Sequence, residues 1–531
     1  MKRCIGSLAV LALALALAAS GARAEVRLPG VFSDHMVLQR DLAVPLWGTA
    51  APGEEVTVAF AGQSKKAKAD PDGKWKLALD PMPASADPRE LTVSGAAGSP
   101  AVKIEDVLVG EVWVGSGQSN MDMGVGSYSE HDPVLAANMA AGPYPKLRLL
   151  RGGPAPRWVE STPGNIKGFS AMLFSFGLPL HKALDVPVGL MVGAVGGTPS
   201  GYWLSEAALQ ADAPCQDLIK KYAATYDPTQ AQKKYEADLA KWTNDVAVAK
   251  EKKEREPRKP NPPVNPGETT GGQVGHLYET FIRPLVGYGI RGVLWDQGES
   301  GTALPGVDQY TLMGGLIRGW RAEWALPAAA DASKPGRDFA FLYIEKPSGG
   351  GCAWDPANPV TSQAEAFSPL PAAVPNDGGF VETHVRIMEY PNTAMAISSD
   401  LGPNTHPVCK SGYGCRAAAV AQGFVYGRKV EYYGPLYASH KVEGGKVRVS
   451  FTHVGKGLAF RNGEKLQGFA VAGEDKAFHW ADAAIEGDAV VLSCAAVPKP
   501  AFIRYAWANK RTWANLFNQD GLPAVPFRTD R

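Results

Sequence analysis

Between residues 25 and 104 the apolar positions come in short runs at 44–47, 56–60, 75–79 and 91–93, several of them alternating with polar ones. Alternation of period two puts every second side chain on one face of a strand, so these runs predict short half-buried strands. Ala51-Pro52-Gly53 and Pro71-Asp72-Gly73 supply turns between them. Pro45 lacks a backbone donor and places the first strand at a sheet edge. From about residue 107 the pattern changes. Longer apolar runs at 107–114, 188–195, 292–295, 339–344 and 393–398 end in glycine-rich polar turns and are followed by helical spacing. This βα rhythm predicts a mostly parallel sheet covered by helices. It is broken at 228–266, where a charged, helix-prone stretch (230–254) leads into a proline-rich one (257–266), read as a solvated arm. After about residue 432 alternation returns at 446–451 and 502–507, with an apolar run at 489–492, and predicts a second, smaller β region.

The first 24 residues have a different pattern. Lys2 and Arg3 precede an unbroken apolar run from 8 to 19, too short to span a bilayer, and Ala22-Arg23-Ala24 fits a small-x-small cleavage site. A cleaved export signal is expected at 1–24, followed by a β domain at 25–105, an α/β core at 106–430 with its insertion at 228–266, and a β domain at 431–531. With 531 residues the chain is long enough for these parts. Localisation is expected to be periplasmic or extracellular.

Charge narrows the function. The 54 Lys and Arg against 53 Asp and Glu leave a net charge of +1, and loss of Lys2, Arg3 and Arg23 with the signal takes it to −2. That balance gives no basic footprint for nucleic acid, and no second apolar stretch suits a membrane. Outside the signal the cysteines are Cys215, Cys352, Cys409, Cys415 and Cys494. Cys409 and Cys415 are the sequence-local pair that an oxidising compartment allows to bridge, and the odd number leaves a thiol over. No spacing suits a zinc site.

Four polar motifs stand at the ends of predicted parallel strands, where open α/β sheets bind ligands. Gly117-Gln118-Ser119-Asn120-Met121 offers Ser119 as a nucleophile. Gly196-Gly197-Thr198 offers backbone amides that approach a ligand closely. Gln297-Gly298-Glu299-Ser300 offers a side-chain amide and a carboxylate. Asp400-Leu401-Gly402-Pro403-Asn404-Thr405-His406 offers an imidazole base. Each motif alone is as compatible with an ordinary turn. Together they supply nucleophile, base and oxyanion donors, the requirements of acyl transfer by a serine hydrolase.

At these residues the chain resembles the sialate O-acetylesterase family of SGNH-type hydrolases. The resemblance runs from the opening Leu28-Pro29-Gly30-Val31-Phe32-Ser33-Asp34-His35-Met36 to the ending Gly521-Leu522-Pro523-Ala524-Val525-Pro526-Phe527. It implies a flavodoxin-like α/β core flanked by N- and C-terminal β-sandwich-like domains. It also implies hydrolysis of O-acetyl esters on sugars, typically sialic acids, without metal or cofactor. Under it Ser119 is the nucleophile and His406 the base. The amides of Ser119 and Gly197, with Gln297, form the oxyanion hole. Relatives carry an acid three or two residues before the His, where this chain has Pro403 and Asn404. Asp400 is therefore the expected orienter of His406, Glu299 the second choice, and a Ser–His dyad the third. An esterase of acetylated xylan or another polysaccharide, and a carbohydrate-binding protein with impaired catalysis, are the alternatives.

Overall fold

The computed structural model describes residues 25–95, 100–324 and 338–531, so the expected signal at 1–24 lies outside the described residues. The N-terminal region consists of β1 (Val37–Gln39), β2 (Val44–Thr49), β3 (Glu55–Phe60), β4 (Gln63–Lys68), β5 (Lys74–Leu79) and β6 (Ser85–Ser94). Alternation builds them: in β3, Val56, Val58 and Phe60 are buried while Glu55 and Ala59 are exposed. Among the described strands β2 pairs with β5 alone, apart from a bridge between Thr49 and Arg27, which leaves Pro45 on an edge strand.

The next strand, β7 (Val102–Gly117), is sixteen residues long and serves two layers. Its first part pairs antiparallel with β6 and parallel with β1. Its second part is the central strand of the core. That sheet adds β8 (Tyr144–Arg151), β9 (Trp158–Ser161), β10 (Val188–Ala194), β11 (Gly292–Asp296), β12 (Ala340–Ile344) and β13 (Thr393–Ala396). The order is β13-β12-β11-β7-β10-β8-β9, parallel throughout except for β9, which runs antiparallel to β8. Numbered along the chain, the parallel strands lie 2-3-1-4-5-6. The flavodoxin-like order is 2-1-3-4-5. The difference arises because β10 inserts between β7 and β8.

Helices cover both faces. Trp113 packs edge-on to Phe176 of the helix Ala171–Leu184. Trp295, in register with Ser116, packs against Trp320 of the helix Gln309–Trp324. Neighbouring positions of β7 point to opposite faces, so these two helices lie on opposite sides of the sheet. The composition change at 105–106 falls inside β7, and one apolar cluster runs through both the N-terminal and core regions. From Leu436 onward, three antiparallel sheets, two of four strands and one of two, surround a second cluster containing Val449, Val490, Phe469, Ile503 and Leu516. Among the described residues no helix is long and apolar enough to cross a membrane. All five cysteines there are free thiols, Cys409 and Cys415 included.

Glu111 sits where the two halves of β7 meet. It is fully buried, with Arg40 after β1 and Arg291 before β11 on its carboxylate and Gln39 donating at 3.1 Å. Replacing it by leucine would leave Arg291 without its carboxylate and Arg40 with only Asp41, at 3.5 Å. Glu111→Leu is expected to lose about 3–5 kcal/mol of stability in urea unfolding, the cost of breaking a buried pair from one side.

Candidate active site

The turn that carries Ser119 depends on one glycine. Gly117 ends β7 at φ +127°, and a Cβ there would lie 2.1 Å from the carbonyl oxygen of Asp296. Without a side chain the ends of β7 and β11 close together, and the Gln118 amide donates to that carbonyl at 2.8 Å. The chain then turns into a short helix, Ser119–Asp122. Ser119 is its first residue, so its N–H has no acceptor inside the helix. Gly197, in the turn after β10, has a φ of +71° and open space where a side chain would stand. Among the described residues its amide donates to no backbone carbonyl. His406 comes from the loop after β13, and its Nε2 lies 2.7 Å from Ser119 Oγ. Ser119, Gly197 and His406 line one cleft of about 1170 Å³.

The other expected members have different partners, although Glu299 lines the same cleft. Asp400, expected to orient His406, is fully buried and chelated by Arg416, at 3.0 and 2.7 Å. Among the described residues no carboxylate bonds to His406. Gln297, expected in the oxyanion hole, is buried. Its Nε2 donates to the carbonyls of Gly301 at 3.0 Å and Thr198 at 3.4 Å, and its Oε1 accepts from Gln309. It ties the β10 and β11 loops together with its donors already engaged. Glu299 accepts from Gln118 Nε2 at 2.7 Å and pairs with Lys346 at 2.8 Å, so it supports the residue before the nucleophile. Asn404 is exposed in a left-handed conformation, φ +79°, which asparagine tolerates well.

Two residues that the sequence did not reveal join the halves of the site. Asn120 donates to the carbonyl of Thr405 at 2.9 Å. Its Oδ1 accepts from Lys410 Nζ at 2.7 Å, and the same ammonium reaches the carbonyl of Pro407 at 2.6 Å. Lys410 thus holds the nucleophile turn and the His406 loop together. The pairing spans 290 positions, and only the motif neighbour of Ser119 hinted at it.

Below the cleft, Lys346 is fully buried between Asp296 at 2.9 Å and Glu299 at 2.8 Å. Burial alone would lower its ammonium's pKa, and the two carboxylates raise it above the usual range. Burial pushes Asp296 up despite Lys346, whereas for Glu299 Lys346 outweighs burial and holds the carboxyl down. Burial also takes Lys410 from its ordinary 10.5 to about 7, against the pull of Asp296.

The insertion reaches this cleft. Its helix, Pro228–Lys252, is largely exposed, as a solvated arm should be, but Arg255, Arg258 and Asn261 in the following segment line the cleft together with Ser119 and His406. Tyr202, half-buried, lines it too, its hydroxyl donating to the Thr270 carbonyl at 2.6 Å. Away from the cleft, His35, Asp106 and Glu160 bring three metal-type ligand atoms within 4.8 Å of one another. Arg148 already pairs with both carboxylates there.

The lowered Lys410 pKa carries a sign. The unfolded chain keeps this proton to about pH 10.4, and the folded chain releases it near 7. Folding is therefore favoured increasingly as pH rises between the two, by up to about 1.4 kcal/mol per pH unit. Urea unfolding from about pH 7 to about pH 10 is expected to show that rising contribution in the wild type and to lack it in Lys410→Met.

No family model matches the chain. The sialate O-acetylesterase of Rattus norvegicus is 26% identical over 464 residues, covering 80% of this chain and 79% of its own length. That of Homo sapiens is 25% identical over 550 residues, covering 94% and 92%. Among solved structures, one described as a novel carbohydrate acetylesterase from Xanthomonas citri is 27% identical. It superposes with a TM-score of 0.70, covering 95% of this chain and 99% of that one. Over most of its length this chain is similar in sequence to sialate O-acetylesterases, and in fold to a carbohydrate acetylesterase.

Proposed function

We propose that the protein is an exported serine esterase that removes O-acetyl groups from carbohydrates, sialic acids foremost, through an acetyl-serine intermediate. The observation that carries this reading is the 2.7 Å contact between Ser119 Oγ and His406 Nε2 in an open cleft. The similarity to carbohydrate and sialate acetylesterases supports the substrate class. Export rests on the pattern of residues 1–24.

In the first step His406 takes the Ser119 proton as Oγ bonds to the acetyl carbon. The carbonyl oxygen becomes an oxyanion facing the amides of Ser119 and Gly197. The intermediate collapses by breaking the bond to the sugar oxygen, which leaves with the proton from His406. Water, deprotonated by the same imidazole, then attacks the acetyl-serine, and acetate departs as the proton returns to Ser119. With Asp400 on Arg416, the base works as a Ser–His dyad. The backbone of its loop is fixed through Asn120 and Lys410.

Ser119→Ala is expected to cut acetate release from an activated acetyl ester by at least about a thousandfold with an unchanged unfolding midpoint. A variant keeping a tenth of the wild-type rate would remove Ser119 from this role. Asp400→Asn separates dyad from triad. It should cost about 3–5 kcal/mol of stability by leaving Arg416 unpaired. The folded fraction should stay within about tenfold of wild-type kcat, because loss of a true orienting acid costs about ten-thousandfold.

A further inference from the structure

The cleft has an unbalanced charge. Of the acids on its wall, Asp122 is paired with Arg151 at 3.0 Å and Glu299 with Lys346 at 2.8 Å. Arg255 and Arg258 also line it, and among the described residues neither is paired with a carboxylate. Their neighbour Glu256 is turned to Lys250, at 3.7 Å. Two arginines therefore line the same cleft as Ser119 with no carboxylate partner among the described residues.

Their position is fixed by the insertion. The helix Pro228–Lys252 starts on Asp227, whose carboxylate accepts from the amides of Thr229 and Gln230. It ends with Lys253 in a left-handed conformation, φ +54°, and the chain reverses. Trp242 on that helix then donates to the carbonyl of Pro257 at 2.8 Å, and Lys259 lies over its ring at 5.9 Å. Pro257, Pro260, Pro262 and Pro263 restrict the backbone further. A segment so restrained loses little freedom when it binds. The guanidinium fork matches a carboxylate in bidentate geometry. Tyr202, whose ring packs against His276 at 4.3 Å, adds a half-buried aromatic side chain to the wall of the same cleft.

We infer that Arg255 and Arg258 form a carboxylate-binding subsite, through which the insertion selects acetyl esters of acidic sugars over those of neutral ones. This rests on the esterase reading, which already favours an acidic sugar, and adds to it the residues that hold the acid group. A neutral polysaccharide ester leaves both guanidiniums without a partner, whereas a sugar acid supplies one.

The test compares an O-acetylated sugar acid with the methyl ester of the same compound, which differs only in charge. The wild type is expected to have the higher kcat/KM on the acid. In the Arg255→Gln/Arg258→Gln double variant that preference should fall about tenfold or more, mostly through KM. Added salt should erode the preference of the wild type and leave that of the variant flat. An acid-to-ester ratio equal in wild type and variant, at matched unfolding midpoints, would overturn the subsite. If the wild type cleaves neither compound, the esterase reading fails by itself. Calorimetry with the deacetylated acid and its methyl ester then decides the subsite: tighter binding of the acid, lost in the double variant, upholds it, and equal binding ends it.

Discussion

The register of one strand governs the molecule. β7 enters as part of the N-terminal sheet and leaves as the middle of the core, so a slip of one residue would turn over the faces of both layers at once. Its last residue, Gly117, lies beside Ala194 of β10 and Asp296 of β11. The three strand ends are therefore level. Ser119 stands two positions beyond one end and Gly196-Gly197 just beyond the second. Gln297 follows the third. Parallel pairing alone brings these segments together, and the sixteen residues upstream, gripped on two sheets, keep the nucleophile turn from drifting.

That convergence is secured underneath by charge. Lys346 bridges two carboxylates in a buried site, and one of them carries Gln118 directly before Ser119. Buried ion groups of this kind are poor sources of net stability, because desolvation consumes most of the Coulomb gain. Their effect is geometric, since Lys346, just after β12, is held at once to Asp296 at the end of β11 and to Glu299 in the loop that follows. Lys410 does the same between Asn120 and the carbonyls of the His406 loop. The base is held by its backbone, which explains how an imidazole without a carboxylate partner still meets Ser119 at hydrogen-bond distance.

Much of this was legible in the sequence, for identifiable reasons. Strands β7, β10, β11, β12 and β13 are buried on both faces, so they read as continuous apolar runs, and the polar motifs closing them marked the strand ends. β8 and β9 did not register. β8 includes Lys146, Arg148 and Arg151, and β9 has two exposed residues, so neither forms an apolar run. Asp400 was expected beside His406 on sequence distance alone. Six residues of loop leave a carboxylate free to turn either way, and Arg416, one and a half helical turns into the next helix, captured it. Gln297 was judged by its motif, and its amide was already committed to two carbonyls. Local pattern reports elements well. It does not report which of several polar partners a buried side chain will choose, because that choice is made between segments distant in the chain.

The insertion shows the same division on a larger scale. Its composition describes an exposed helix correctly, since charged residues at helical spacing with a single buried alanine have no core to join. Composition is silent about where the chain goes after Lys253. The tail is returned toward the core by a single indole-to-carbonyl hydrogen bond and a run of prolines, and its arginines arrive where no core element supplies free positive charge. The catalytic groups come from the ends of sheet strands, which the fold sets. Under the proposed reading, the groups that meet the rest of the substrate come from a surface excursion, which tolerates change in length and sequence at little cost to the core. Chemistry and selectivity are thus carried by parts of the chain under different constraints, so the charge of the cleft can alter without disturbing the register on which Ser119 and His406 depend.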